Sequence, residues 1–85
     1  MKYLPSIVKL RYVRDYVISI KFDNGEEKSV DISQYFKGPV FDSLKKKSEF
    51  KKFFLDAGTI AWPCGVDLAP DALYLAEDVE EKNVA

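Results

Sequence analysis

The chain has 85 residues, with 13 basic and 14 acidic side chains, one cysteine and no histidine, and its formal net charge is −1. A chain of this length forms one small domain rather than two. The lone cysteine excludes an internal disulfide, and the lack of histidine excludes a Cys/His zinc site and the Ser-His-Asp and Cys-His catalytic arrangements. A composition of 47% hydrophobic and 32% charged residues is typical of a globular protein and not of a disordered one.

The sequence carries no motif for a cofactor, a metal or a membrane. It contains neither of the glycine-rich phosphate-binding patterns, G-x-x-x-x-G-K-[ST] and G-x-G-x-x-G. Asp67 and Asp71 could together hold a hard cation, but helix capping explains both carboxylates more simply. The apolar runs are too short for a membrane span, and the charges after Met1–Pro5 do not fit a signal peptide. We therefore expect a cytoplasmic protein that is not an enzyme and needs no cofactor or metal.

The first third of the chain predicts antiparallel strands, because apolar and polar residues alternate with a period of two. In the first strand, within residues 7–14, the predicted buried face carries Val8, Leu10 and Tyr12. The second strand lies within residues 16–22, and its predicted buried face carries Tyr16, Ile18, Ile20 and Phe22. This alternation is the signature of a half-buried strand.

Turn residues separate these strands. Arg14-Asp15 is the predicted tight connection between the first two strands. Asn24-Gly25 accepts positive φ cheaply and predicts a two-residue hairpin turn. A third strand follows over residues 26–32, with Val30 and Ile32 in the core, so the first third reads as a three-stranded meander.

The rest of the chain predicts short helices and a second pair of strands. Pro39 can open a helix, since its missing N–H costs nothing at the first position. A phenylalanine cluster follows at helical spacing and is expected in the core: Phe50, Phe53 and Phe54. Two short strands flank a turn at Ala57-Gly58, and a last helix begins near Pro70. The sequence thus predicts an α+β fold in one domain over residues 1–76, a small antiparallel sheet with a three-stranded N-terminal meander and a short C-terminal hairpin, packed with short helices. A polar, frayed tail follows over residues 77–85.

Charge is distributed unevenly along the chain. Residues 1–52 carry 12 basic and 7 acidic side chains, whereas residues 53–85 carry 1 basic and 7 acidic ones. The basic excess is concentrated in Lys45-Lys46-Lys47 and Lys51-Lys52. Such asymmetry indicates either a surface for a charged partner or simply a solvated helix face and a solvated tail. A pI near 5.4 and the lack of a recognisable helix-turn-helix argue against nucleic-acid binding by this domain alone.

Residues 59–74 read TIAWPCGVDLAPDALY. This segment resembles the motif T-I-x-W-P-x-G-x-D-[LI]-A-P-[DE]-x-L-Y of domain-of-unknown-function family 2442, which comprises small bacterial proteins of uncharacterised function, and residues 16–25 resemble the hairpin near the family's N-terminus. The resemblance implies an α+β fold of a small antiparallel sheet with short helices. Some members carry this domain in front of a helix-turn-helix, and others stand beside a small partner gene that resembles a toxin. No catalytic residues follow from the resemblance, and Cys64 stands where the family commonly has a polar residue, often asparagine.

The motif has two physical interpretations. As a structural lock, Trp62 buries a large apolar area, Gly65 permits positive φ, Asp67 caps the helix that begins at Pro70, and Tyr74 closes that helix over the sheet. As a recognition surface, a tryptophan, an aspartate and a tyrosine near one loop would bind a partner. Together with the lysine run, the second interpretation names these candidate partner-binding residues: Trp62, Asp67, Tyr74, Lys45, Lys46 and Lys47.

Three functions from different classes follow. The first is a protein-interaction or regulatory module, such as the antitoxin-like partner of a small toxin-like protein, whose partner is another protein or a second copy of the chain. The second is an accessory domain in transcription regulation with weak nucleic-acid contact, which predicts binding that weakens steeply with salt. The third is an enzyme that uses aspartate or tyrosine side chains, which needs a pocket with perturbed carboxylates. The missing catalytic groups favour the first.

Overall fold

The computed structural model describes residues 5–79. Within this range the strands are β1 (Ile7–Arg14), β2 (Val17–Phe22), β3 (Glu27–Asp31), β4 (Phe54–Asp56), β5 (Thr59–Ala61) and β6 (Asp67–Leu68). Two 3₁₀ helices cover Ile32–Tyr35 and Pro39–Lys45, and two α-helices follow, α1 (Lys47–Phe50) and α2 (Pro70–Tyr74). The α+β fold predicted from the sequence is confirmed. No helix in the described range is long and apolar enough to cross a membrane.

The first sheet is the predicted antiparallel meander, in the order β1-β2-β3. Ile18 pairs with Val30, so that the apolar faces of the two strands point to the same side and enter the core. The connection between β1 and β2 is shifted by one residue from the prediction. Arg14 pairs with Val17, which leaves Asp15-Tyr16 as the turn, and Asp15 adopts a φ of 44°. Aspartate tolerates this left-handed conformation better than most residues do.

A β-bulge at Val8 corrects the predicted buried face of β1. Ile7 pairs with Phe22 but Lys9 pairs with Lys21, so β1 has one residue more than β2 between these pairs. The extra residue shifts the alternation. Ile7 is therefore buried at 2% exposure, whereas Val8 is 48% exposed. Leu10 still packs against the core as predicted.

The turn between β2 and β3 contains one residue more than predicted. The Gly25 N–H donates to the Phe22 carbonyl at 3.0 Å, and the Phe22 N–H donates to the Glu26 carbonyl at 2.8 Å. These bonds enclose Asp23, Asn24 and Gly25, of which only Gly25 has a positive φ, at 93°. The arrangement is a three-residue hairpin loop that ends in a glycine bulge, instead of a two-residue Asn-Gly turn.

The second sheet has the order β4-β5-β6. The predicted turn at Ala57-Gly58 connects β4 and β5, and both residues have positive φ, 52° and 83°. The strand β6 was not predicted, because two residues show no period. Its pairing with β5 brings Asp67 opposite Ala61.

The two sheets meet near the start of β1. The Ile7 N–H donates to the Gly58 carbonyl at 3.1 Å. A Cβ atom at Gly58 would lie 3.1 Å from the Cβ of Ser6, so the absence of a side chain permits this approach. Side chains from both sheets and from the helices form one core: Ile7, Ile18, Ile20, Phe22, Val30, Ile32, Leu44, Phe50, Ile60, Trp62, Val66 and Leu73. Of the predicted phenylalanine cluster, Phe50 is fully buried and Phe53 packs against the core, whereas Phe54 is 45% exposed.

The beginning of the predicted tail continues beside the edge of β3. The Val79 N–H donates to the Ser29 carbonyl at 2.9 Å, and the Ser29 N–H donates to an Asp78 carboxylate oxygen at 3.1 Å. These bonds satisfy backbone groups on the edge of the first sheet. The remainder of the predicted tail, residues 80–85, lies outside the described residues.

Candidate interaction surfaces

Trp62 is a core residue. Its side chain is 2% exposed, and its indole N–H donates to the Phe50 carbonyl at 2.7 Å. The ring lies 5.8 Å from the ring of Phe50. A buried indole needs an acceptor for its single N–H, and the end of α1 supplies one. This is the geometry that the structural interpretation of the motif requires.

The residues after Trp62 form a turn of the same kind as the β2–β3 hairpin. The Gly65 N–H donates to the Trp62 carbonyl at 2.9 Å, and the Trp62 N–H donates to the Val66 carbonyl at 2.9 Å. Gly65 has a φ of 100°, and Pro63 supplies the restricted φ that suits the first central position of such a turn. Cys64 occupies the exposed second central position. The W-P-x-G part of the motif thus encodes a hairpin that carries Trp62 into the core.

Asp67 is not a helix cap, which corrects the prediction. Helix α2 begins at Pro70 with Ala69 at the N-cap, and no side chain caps it. Asp67 lies instead in β6, where it is exposed. The carboxylate of Asp71 accepts a hydrogen bond from the neighbouring Ala72 N–H at 2.9 Å. In the part of the chain that the structure describes, no three acidic or cysteine side chains form a group that could hold a metal ion.

Tyr74 joins α2 to the β2–β3 hairpin. Its hydroxyl donates to a Glu26 carboxylate oxygen at 2.9 Å and accepts from the Asn24 side-chain amide at 3.2 Å. Its ring meets Phe22 edge to face at 5.0 Å. The Lys28 ammonium lies 5.3 Å from the ring centre and donates to the Tyr74 carbonyl at the end of the helix. A cation stabilises the carbonyl groups that a helix leaves unpaired at its C-terminus.

The lysine run forms an exposed surface at the other end of the first sheet. We call Lys45–Lys52 the basic segment; it covers the end of the second 3₁₀ helix, all of α1 and the two residues after it. The Lys47 ammonium lies 5.6 Å from the Tyr16 ring centre, and the Lys51 ammonium lies 4.9 Å from the Tyr12 ring centre. Phe50 points inward from the same segment and is fully buried. The segment is therefore anchored in the core while its ammonium groups face solvent.

Ion pairs neutralise part of this charge. Lys47 binds Asp15 at 3.1 Å, Lys45 binds Asp42 at 3.4 Å, and Lys52 binds Glu49 at 3.2 Å. The hydrogen bond to the Asp15 carboxylate, and then the charge of that carboxylate, raise the pKa of Lys47 above its ordinary value. Lys46 and Lys51 have no ion pair within residues 5–79 and are exposed. These two lysines carry the unpaired charge of the segment.

The six candidate residues do not form one site. The basic segment contacts the turn between β1 and β2, whereas Tyr74 contacts the turn between β2 and β3. These turns lie at opposite ends of β2, a strand of six residues that spans about 20 Å. Trp62 lies beneath the basic segment, where its indole N–H donates to the Phe50 carbonyl. The structure therefore places Tyr74 and the lysines about 20 Å apart, with Trp62 buried at 2% exposure.

A polar cleft on the outer face of the first sheet was missed by sequence reasoning. Its volume is about 450 Å³, and its lining residues come from all three strands and the C-terminal segment: Arg11, Val13, Ser19, Glu27, Lys28, Ser29 and Asp78. Ser19 is 4% exposed, and its hydroxyl donates to a Glu27 carboxylate oxygen at 3.1 Å. The period-two alternation that located the core face also places Ser19 on the opposite face. That alternation was the available signal for a polar outer face.

The fold is a small α+β domain with two antiparallel sheets. Its surface within residues 5–79 includes the basic segment and the polar outer face of the first sheet. The chain matches the model of the family described as a protein of unknown function (DUF2442) over residues 7–78, and it belongs to this family. The match covers both sheets and α2, and it confirms the family that the sequence resembles. Neither a curated protein nor a solved structure matches the chain.

Proposed function

We propose that this protein is a regulatory protein-interaction module, and that the basic segment docks on an acidic surface of another protein. The observation that carries the proposal is the pair Lys46 and Lys51, two exposed cations without an ion pair in residues 5–79, on a segment that Phe50 anchors in the core. A preorganised charged surface loses less conformational entropy on binding than a flexible one does. It also steers an oppositely charged partner and selects against a like-charged one.

The surroundings of the basic segment support a protein partner. The rings of Tyr12 and Tyr16 lie beneath two of its ammonium groups. Tyrosine and exposed cations together are typical of the polar but partly aromatic surfaces that bind other proteins. The family resemblance names a first partner to test, a small toxin-like protein encoded beside some members.

The test compares charge-reversed variants of the tagged full chain expressed in its native host. The variant Lys46→Glu/Lys51→Glu should lose a specifically captured partner that the parent protein retains. The matched control is Lys21→Glu/Lys37→Glu, which changes the net charge equally at two exposed lysines outside the segment. Equal thermal stability of the two variants would show that the loss is one of binding.

Three results would contradict the proposal. One is a partner retained equally by both variants, and a second is the absence of any captured protein that depends on the segment. The third is a nucleic acid in place of a protein, with binding that both variants weaken and that falls steeply as salt increases. That result would support the accessory role in transcription regulation instead.

A further inference from the structure

The two edges of the first sheet differ in how the chain covers them. On β3, Ser29 receives bonds from Val79 and Asp78. On β1, the Ile7 N–H binds Gly58. From Val8 to Val13, β1 makes no further backbone hydrogen bond on its outer side with any part of the chain that the structure describes. On the outer side of these six residues, backbone groups have no hydrogen-bond partner within residues 5–79. The β4–β5 hairpin lies beside the start of β1, and the register with β2 shifts at Val8 and again at Val13.

Charge determines which strand can pair with this edge. Lys9 and Arg11 are exposed on β1. An antiparallel second copy of β1 would bring these cations against the same cations, and like charges that face one another across strands destabilise the pair. Lysine on an edge strand is a common protection against self-association for this reason. An extended segment with carboxylates at the facing positions gains attraction in place of repulsion.

We propose that the open edge of β1 binds an extended acidic segment of a partner protein as an added strand. Backbone hydrogen bonds from residues 8–13 supply sequence-independent affinity, and Lys9 and Arg11 select acidic residues. Val8, the bulged residue, is 48% exposed and offers a contact for one apolar side chain among them.

This edge is continuous with the basic segment. Tyr12 belongs to β1, and the Lys51 ammonium lies 4.9 Å from its ring centre. A strand that runs along β1 towards the β1–β2 turn therefore approaches Lys51. The inference rests on the proposed function in this respect, since it specifies which part of the partner is recognised and in which conformation.

The experiment uses the full chain and a blocked nine-residue peptide in which glutamate alternates with threonine and valine. Amide hydrogen exchange and NMR titration should show slowed exchange within residues 8–13 and binding that saturates. A peptide with lysine in place of every glutamate should not bind. A third peptide, N-methylated at alternate amides, lacks the backbone donors on one side and should bind at least tenfold more weakly.

Charge-reversed variants of the protein test whether the peptide binds along the edge of β1 or across the outer face of the first sheet. Lys9→Glu/Arg11→Glu should weaken peptide binding by about tenfold, as two exposed charge reversals allow. Lys9→Glu alone is also compared with Lys21→Glu, which changes the net charge equally; Lys21 pairs with Lys9 but lies one strand further in, on β2. Equal losses in these two single variants, unchanged exchange at residues 8–13, or no binding at millimolar peptide would overturn the inference. Protection of the β3 edge at Ser29 instead would also overturn it, since it would show displacement of the C-terminal segment.

The native partner distinguishes this inference from the proposed function. If Lys9→Glu/Arg11→Glu retains a partner that Lys46→Glu/Lys51→Glu loses, the interaction module stands and strand addition fails. If the acidic peptide binds β1 but no partner depends on Lys46 and Lys51, strand addition stands and docking by the basic segment fails.

Discussion

The indole N–H of Trp62 donates a hydrogen bond of 2.7 Å to the backbone carbonyl of Phe50, and the two rings lie 5.8 Å apart. This relationship ties the β5–β6 hairpin to α1. It also holds the basic segment in place, because Phe50 is the last residue of α1 and lies between Lys47 and Lys51. A residue of the segment 59–74 thus supports a surface that lies outside that segment.

Trp62→Ala should unfold the protein or nearly do so. Removing a fully buried tryptophan costs about 3–5 kcal/mol, comparable to the whole stability of so small a domain. Urea denaturation followed by circular dichroism measures the change. Asp67→Ala is the control from the same hairpin, and we expect it to cost less than about 0.5 kcal/mol because its side chain is exposed and caps no helix. A Trp62→Ala variant as stable as the parent protein would contradict the structural role of Trp62.

Tyr74→Phe should leave the protein folded but loosen the β2–β3 hairpin. The variant loses the hydroxyl bonds to Glu26 and Asn24 and keeps the ring against Phe22. We expect a loss of about 0.5–1.5 kcal/mol of unfolding free energy, with faster amide exchange in residues 23–26. Tyr74→Leu, which also removes the edge-to-face contact, should cost more; equal costs would show that the hydroxyl contributes nothing.

Gly25→Val should destabilise the protein by about 1–3 kcal/mol, because φ is 93° and β-branched residues avoid that region. No atom lies within 4 Å of a Cβ built at this position, so the cost arises from the backbone alone. Gly25→Asn tests this cause, since asparagine tolerates positive φ and should lose less. Thermal melts of the two variants give the comparison, and a Gly25→Asn variant as unstable as Gly25→Val would point to another cause.

Cys64→Asn should preserve the fold and any partner binding. Cys64 is exposed at the second central position of its turn, the position that Asn24 occupies in the β2–β3 hairpin. A surface substitution of this kind changes the unfolding free energy by less than about 0.5 kcal/mol. Denaturation measures the stability of the fold, and the partner-capture assay measures binding. A bound metal lost on substitution would count against this interpretation.

Alkaline pH should weaken the fold partly through Tyr35. Burial raises the pKa of the Tyr35 hydroxyl above its ordinary value near 10. The folded state therefore holds this proton more tightly than the unfolded state does, so its contribution is present below pH 10 and is lost as the pH rises above that value. Tyr35→Phe should make the unfolding free energy decline less between pH 9 and pH 11. Parallel pH profiles for the two proteins would exclude a contribution from Tyr35.

The elements predicted correctly were those whose signal is local. The alternation in residues 16–22 and the glycine turns specify strands and hairpins from neighbouring residues alone, because side-chain direction in a strand repeats every two residues. Even the loop at Asp23–Gly25 was located correctly, although its length was not. Turn length depends on which strand residues pair, and that is decided by both strands together.

Tertiary structure decided what local patterns leave open. The bulge at Val8 arises because Ile7 pairs with Phe22 and binds Gly58, a residue some fifty positions later in the chain. The chain turns after Trp62, so that the Trp62 N–H bonds to the Val66 carbonyl and the next residues pair with β5 as strand β6. Asp67 is consequently part of a strand and not a helix cap. The sequence by itself determined the fold class, the tryptophan motif and the charge of the basic segment. Only the packed chain determined that Trp62 faces inward, that Tyr74 and the lysines lie at opposite ends of β2, and that residues 8–13 of β1 pair on their outer side with no other part of residues 5–79. Burial and edge coverage depend on contacts between segments distant in sequence.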